Sequence, residues 1–222
     1  PTLGLVAFNG SKTNNILVSA TGGDPDLSLY LDLHEKNLSR RFKAFGTGLS
    51  DDPRDSHGWA RVDVAWSADA LHWPASGSRR IVHESEIGQN DGTADNIVWD
   101  SDLQLYIGYV RLDNMTMCGC TTRGGVCCCA QDGERGSCNR RRTGRTTSRD
   151  FVTWTKAVEV FRGQLGFEIY TLEPWRLDSW RPGRYLAMGA FYCHNETSAV
   201  APLPNCTLGS VYNELLATND HG

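Results

Sequence analysis

Val64-Ala-Trp-Ser-Ala-Asp-Ala-Leu-His-Trp73 recurs as Gly144-Arg-Thr-Thr-Ser-Arg-Asp-Phe-Val-Thr-Trp154, and its first part returns in Glu214-Leu-Leu-Ala-Thr-Asn-Asp-His-Gly222. Each copy reads as a strand running into Ser/Thr-x-Asp, and the two full copies place a Trp four residues beyond the Asp. Asp69, Asp150 and Asp220 are expected to cap tight turns by accepting backbone N–H groups. Trp73 and Trp154 are expected to fold back onto the sheet as large apolar plugs.

A second strand-like run lies upstream of each copy: Arg41-Phe-Lys-Ala-Phe45, Gln104-Leu-Tyr-Ile-Gly-Tyr-Val110 and Arg184-Tyr-Leu-Ala-Met-Gly-Ala-Phe191. Before those comes a third: Asn15-Ile-Leu-Val-Ser19, Asp95-Asn-Ile-Val-Trp99 and Thr171-Leu-Glu-Pro-Trp175. Alternation and aromatic or β-branched content mark them as strands, and helical periodicity is almost absent. The order strand, turn, strand, loop, strand and Asp turn thus occurs three times, at a period of roughly 65 to 80 residues. It divides the chain into units 1–74, 75–155 and 156–222. The expected fold is all-β, a five-bladed β-propeller of which roughly three blades are present; a β-sandwich is the competing architecture. An open ring would leave a bare sheet edge, and both termini read as cuts. The chain is therefore expected to be a piece of a longer protein, with the remaining propeller blades as its packing partners.

The 222 residues are 40% hydrophobic and 22% charged, enough to build a core. A formal charge of −4 argues against a nucleic-acid partner recognised through net charge. No run approaches the roughly 18 apolar residues of a membrane span, and the opening at Pro1 has no signal-peptide pattern. Eight cysteines and the acceptor motifs at Asn9, Asn37, Asn114, Asn195 and Asn205 point to a secreted or lumenal glycoprotein. Six of the cysteines crowd a Cys- and Arg-rich insertion near 114–142. It lacks C-x-x-C spacing and a nearby His, so a disulfide-stapled loop is expected there rather than a zinc site. Cys193 and Cys206 are expected to pair with each other, a closure worth about 3 kcal/mol. His57, His72, His83 and His194 show no metal-ligand spacing, and neither a metal nor a cofactor is expected. Arg140, Arg141, Arg142, Arg145 and Arg149 read as a solvated face or as a contact for an anionic glycan.

The run Pro1-Thr-Leu-Gly-Leu-Val-Ala-Phe-Asn-Gly-Ser-Lys-Thr-Asn-Asn-Ile16 resembles the inter-blade segment of the invertase-like five-bladed propeller proteins, described as glycosyl hydrolase family thirty-two N-terminal-like. Phe42-Lys-Ala-Phe45, Ser67-Ala-Asp-Ala-Leu-His-Trp73, Asp95-Asn-Ile-Val-Trp-Asp100, Ser148-Arg-Asp-Phe-Val-Thr-Trp154 and Ile169-Tyr-Thr171 resemble further landmarks of that group. The resemblance leaves out roughly 112–143 and 193–210, and the Cys- and Arg-rich insertion departs from it.

In that group, successive blades supply Asp, Asp and Glu to a central channel. The resemblance assigns those places to Asn14 or Asn15, Asp95 and Glu173. It implies that Asp95 stabilises oxocarbenium charge and that Glu173 is the general acid, its pKa raised by burial beside Tyr170 and Trp175. Asn15, Asn96, Trp99, Tyr170 and Trp175 are the expected substrate-binding residues, the aromatics stacking on sugar faces. Asn14 and Asn15 are amides, which bind hydroxyls but cannot act as nucleophile or base. Two functions follow from this. One is a glycosidase that hydrolyses oligo- or polysaccharides with an upstream nucleophilic Asp; the other is a non-catalytic carbohydrate-binding propeller. A sialidase-like reading fits less well, since the full Ser-x-Asp-x-Gly-x-Thr-Trp box is absent.

Overall fold

A computed structural model describes residues 4, 7, 9–13, 27–46, 62–74, 79–82, 94–113, 141–162, 167–177, 183–193 and 211–218. At 79–82, 94, 95, 113, 141, 162, 167, 168, 193, 212 and 218 it describes the backbone alone. Among the described residues the regular structure is β, apart from one 3-10 turn at Leu38–Arg40. No helix among the described residues is long and apolar enough to cross a membrane.

Three antiparallel sheets follow one another along the chain, none of them closed. The first contains β1 (Leu27–Leu31), β2 (Phe42–Gly46), β3 (Val62–Ser67) and β4 (Arg79–Val82). The second contains β5 (Ala94–Asp100), β6 (Leu105–Asp113), β7 (Arg141–Ser148) and β8 (Val158–Arg162). The third contains β9 (Phe167–Arg176), β10 (Tyr185–Cys193) and β11 (Val211–Thr218). Within each sheet, spatial order equals chain order, so each is a simple meander. The sheets do not coincide with the sequence units. β4 and β8 fall beyond the expected boundaries at 74 and 155, yet pair back onto β3 and β7. The reason is that the Asp turn reverses the chain, and the next extended segment finds its partner in the strand just completed.

The second sheet lies between the other two, and β6 shows why. Tyr106, Val110 and Leu112 point to a core shared with Phe45, Val62 and Val64 of the first sheet. Ile107 and Tyr109, on the opposite face, pack with Ile169, Leu172, Tyr185 and Phe191 of the third. A strand covered on both sides needs apolar residues at consecutive positions, and Leu105–Asp113 supplies them. Each fully buried large apolar side chain contributes about 1.5–3 kcal/mol. At Gly108 the sheets come so close that a Cβ would lie 2.6 Å from the Phe45 ring.

The two complete Asp turns share the same backbone-capping bonds. Asp69 Oδ1 accepts the N–H groups of Leu71 and His72, each at 2.8 Å. Asp150 Oδ1 accepts those of Val152 and Thr153 at 2.8 and 2.7 Å. Ser67 Oγ and Ser148 Oγ each donate to the Asp and accept from the residue after it. That residue is left-handed in both, Ala70 at φ 62° and Phe151 at φ 63°. For a residue with a Cβ this costs about 1–2 kcal/mol. At Phe151 the turn drives the ring into the core between the first two sheets, fully buried. Trp154 joins it there, with ring centroids 5.6 Å from Phe45 and 5.5 Å from Phe151. Trp73 instead closes its own turn, its indole N–H donating to Ala70 O at 3.1 Å. Asp220 lies outside the described residues.

Candidate functional site

The first strands β1, β5 and β9 of the three sheets are linked by one side chain. Asn96 on β5 accepts from Ser28 Oγ of β1 at 2.9 Å and donates through Nδ2 to Pro174 O of β9 at 3.0 Å. Its oxygen also accepts from the Ile97 N–H. The Asn96 amide, expected to bind substrate, therefore serves to tie neighbouring sheets together.

Asp95, the residue before it, occupies a β-bulge. Ala94 faces Val110 and Asn96 faces Tyr109, which leaves Asp95 without a partner on β6. β9 has a matching irregularity: Thr171 pairs with Ala190 and Ile169 with Phe191, so Tyr170 is the extra residue. Bulges re-aim side chains and are enriched beside active sites. Asn15 lies outside the described residues.

Glu173 is exposed on β9, two residues from Trp175 on the same face; Trp175 is 39% exposed and Tyr170 43%. Leu172, on the opposite face, is buried against the second sheet. Trp99, which the sequence pattern aligns with Trp175, has the contrary fate. It packs into the core of the first two sheets, with its ring 4.6 Å from Tyr106 and 5.4 Å from His34. The register explains the reversal. Asn96 pairs three residues beyond Tyr106, and Glu173 three beyond Tyr185, the corresponding tyrosine of β10. Glu173 is thus the counterpart of Asn96, not of Asp95. An offset of one residue exchanges the faces of a strand.

Tyr106 and Tyr185 mark a feature that the sequence analysis missed. Each donates its hydroxyl to an Asp at the end of the preceding sheet's first strand. Tyr106 donates to Asp32, and Tyr185 to Asp100 at 2.7 Å. Each Asp also accepts local N–H groups, from His34 at Asp32 and from Asp102 and Leu103 at Asp100. A buried cation completes each cluster. Lys43 Nζ lies 3.2 Å from Asp32 and 2.9 Å from Glu35, and Arg176 3.0 Å from Asp100. Lys43 also sits 5.0 Å from the Phe151 ring centroid and 5.4 Å from that of Tyr106. Burial opposes ionisation of Asp32, but Tyr106, the His34 N–H and Lys43 outweigh it and hold its pKa below the ordinary value. Burial and the adjacent carboxylates push both tyrosines upward. The signal was present in the sequence: Asp32 directly follows β1 and Asp100 ends β5, and a Tyr is the second residue of β6 and the first of β10.

Arg142 forms an ion pair with Glu159, so this member of the basic run has a local partner. His72 is exposed and lies 2.7 Å from Asp69. Tyr109, between the second and third sheets, is pushed up to about 12 by burial, with Arg145 acting against it. No group of three His, Cys, Asp or Glu side chains fit to hold a metal occurs among the described residues. The cysteines at 118–138 and Cys206 lie outside the described residues, and Cys193 closes β10 with its backbone alone described.

No family model matches the chain, and no curated protein matches it. Among solved structures it is similar to the crystal structure of an N-acetylgalactosamine deacetylase from F. plautii in complex with blood group B trisaccharide. The identity is 14% and the TM-score 0.49, over 87% of this chain and 49% of that one. The chain therefore spans about half the length of that protein.

Proposed function

We propose that the chain is part of a secreted, five-bladed propeller of glycoside-hydrolase type that acts on oligo- or polysaccharides. The observation that carries this reading is that residues Asp95 and Glu173 lie on β5 and β9. These are neighbouring first strands tied by Asn96, with Asp95 at a bulge and Glu173 exposed beside Trp175 and Tyr170. Consecutive meanders with their first strands side by side are the arrangement by which propeller blades surround a channel. In this reading Asp95 stabilises oxocarbenium charge and Glu173 protonates the leaving oxygen. Trp175 and Tyr170 supply stacking surfaces for pyranose rings, and the attacking carboxylate comes from outside residues 1–222.

One observation favours a non-catalytic, carbohydrate-binding propeller instead. Glu173 and Asp95 are not register equivalents, and the counterpart of Glu173 is an amide already engaged in holding the sheets together. Reducing-sugar release by the full-length protein over neutral and anionic oligosaccharides separates the two readings. A glycosidase gives release that Asp95→Asn and Glu173→Gln each abolish while glycan affinity persists. Saturable binding without release, weakened by Trp175→Ala, supports the binding module. Neither release nor binding overturns both.

A further inference from the structure

We infer that Asn37 is a site of N-linked glycosylation. The inference rests on the secretory reading above. Asn37-Leu38-Ser39 lies in the connection between β1 and β2, with all three residues exposed. The Asn37 side chain caps the 3-10 turn entirely through its oxygen. Oδ1 accepts from Ser39 N at 3.1 Å and from Ser39 Oγ at 2.8 Å. Among the described residues Nδ2 has no hydrogen-bond partner. These contacts span only two residues, so the chain can form them before any tertiary structure exists. They present the amide nitrogen to solvent with its oxygen held by the motif's own hydroxyl.

In the transfer, Nδ2 attacks the anomeric carbon of an oligosaccharide carried on a lipid diphosphate. The C1–O bond to the diphosphate breaks, a C1–Nδ2 bond forms, Nδ2 gives up one proton, and the lipid diphosphate departs. No bond of the cap is lost, because all of them end on Oδ1. The product also has local work to do. Leu38 and Leu33 are 68% and 82% exposed in the same connection, and a glycan at Asn37 would screen that apolar surface.

The test is peptide mass spectrometry of the full chain secreted from a eukaryotic host, before and after treatment with a glycan-releasing amidase. The peptide containing Asn37 is expected to carry a glycan, which the amidase removes to leave a carboxylate at that position. Asn37→Asp keeps the oxygen acceptors of the cap and should lose that glycan while the protein is still secreted. Ser39→Thr should retain the glycan and Ser39→Ala should lose it. An unmodified Asn37 peptide beside glycans at Asn9, Asn114, Asn195 or Asn205 overturns the assignment but leaves the secretory reading standing. An absence of glycan at every acceptor overturns both.

Discussion

The interface between the first and second sheets and that between the second and third share one plan and differ in their cation. In both, a tyrosine at the start of the second strand donates to an aspartate that ends the previous sheet's first strand. At the first interface the cation is Lys43, a compact charge with no exposed side-chain surface, enclosed by Asp32, Glu35 and two aromatic rings. At the second it is Arg176, whose fork reaches Asp100, Ser101 and Asp102, the last with its side chain 47% exposed. The Tyr–Asp–cation core is thus buried on both sides, and only the second extends to an exposed carboxylate, Asp102. Removing one partner leaves a charge uncompensated, and the cost depends on how far that charge is from water.

The largest effect is expected at Lys43. Lys43→Met should destabilise the fold by about 3–5 kcal/mol, since it leaves Asp32 buried without its cation. Arg176→Met also leaves a buried carboxylate, Asp100, without its cation. It should cost less than Lys43→Met, since Arg176 shares its charge with exposed Asp102 and Tyr185 still donates to Asp100. Urea denaturation of the two variants checks the order, and equal losses would mean that sharing with Asp102 does not lessen the cost.

Close packing gives the next comparison. A Cβ at Gly108 would meet Phe45 at 2.6 and 2.7 Å and Trp154 at 3.2 Å; at Gly189 it would meet Phe191 at 2.8 Å. Gly108→Ala is expected to cost about 1–3 kcal/mol through overpacking, and Gly189→Ala less. Thermal unfolding of the pair would reverse that ranking if Phe45 can move aside more easily than Phe191.

Tyr106→Phe and Tyr185→Phe should each cost about 1–3 kcal/mol by removing a hydrogen bond to a buried carboxylate. The pH dependence has a defined sign. Asp32 is depressed in the folded state, so its stabilisation is present above the unfolded carboxylate value of about 3.9 and is lost as pH falls through the folded value. Both tyrosines are raised, so their stabilisation is present below about pH 10 and is lost as pH rises further. Denaturation across pH should therefore decline at both ends. Tyr185→Phe should reduce the alkaline decline without altering the part due to Asp32.

The smallest effect distinguishes the two Asp turns. Ala70→Gly relieves a left-handed residue that buries no large side chain, and should stabilise by about 0.5–1 kcal/mol. Phe151→Gly relieves the same strain but removes a ring from the core, so the net change there should be a loss. A gain at both positions, measured by chemical denaturation, would mean that the Phe151 ring contributes little.

Much of this molecule was legible in the chain. The Ser-x-Asp turns at Asp69 and Asp150 and the strands before them could be read because they rest on local contacts. In contrast, Asn15–Ser19 and Asp220 lie outside the described residues, and β1 at Leu27–Leu31 was not among the expected strands. Asp69 and Asp150 bond to groups two or three residues away, and apolar alternation records which strands are buried. The pairing of β4 and β8 with the strand behind them leaves no local mark and was not legible. Among the candidate site residues, the sequence located the first strands that carry Asp95, Asn96, Trp99 and Glu173. It did not show which face each residue would occupy.

That division has a physical basis. Turn chemistry and strand propensity act over a few residues, so the sequence by itself determined an all-β chain of repeated antiparallel units. The side-chain period of a strand is two, and a bulge at Asp95 or Tyr170 changes which face a residue presents. Only tertiary structure could decide that Trp99 is packed in the core while Trp175 is exposed. It alone brought Asn96 between Ser28 and Pro174. It also joined Asp32 to Tyr106 across two sheets, because partners so far apart in sequence meet only once the sheets have packed.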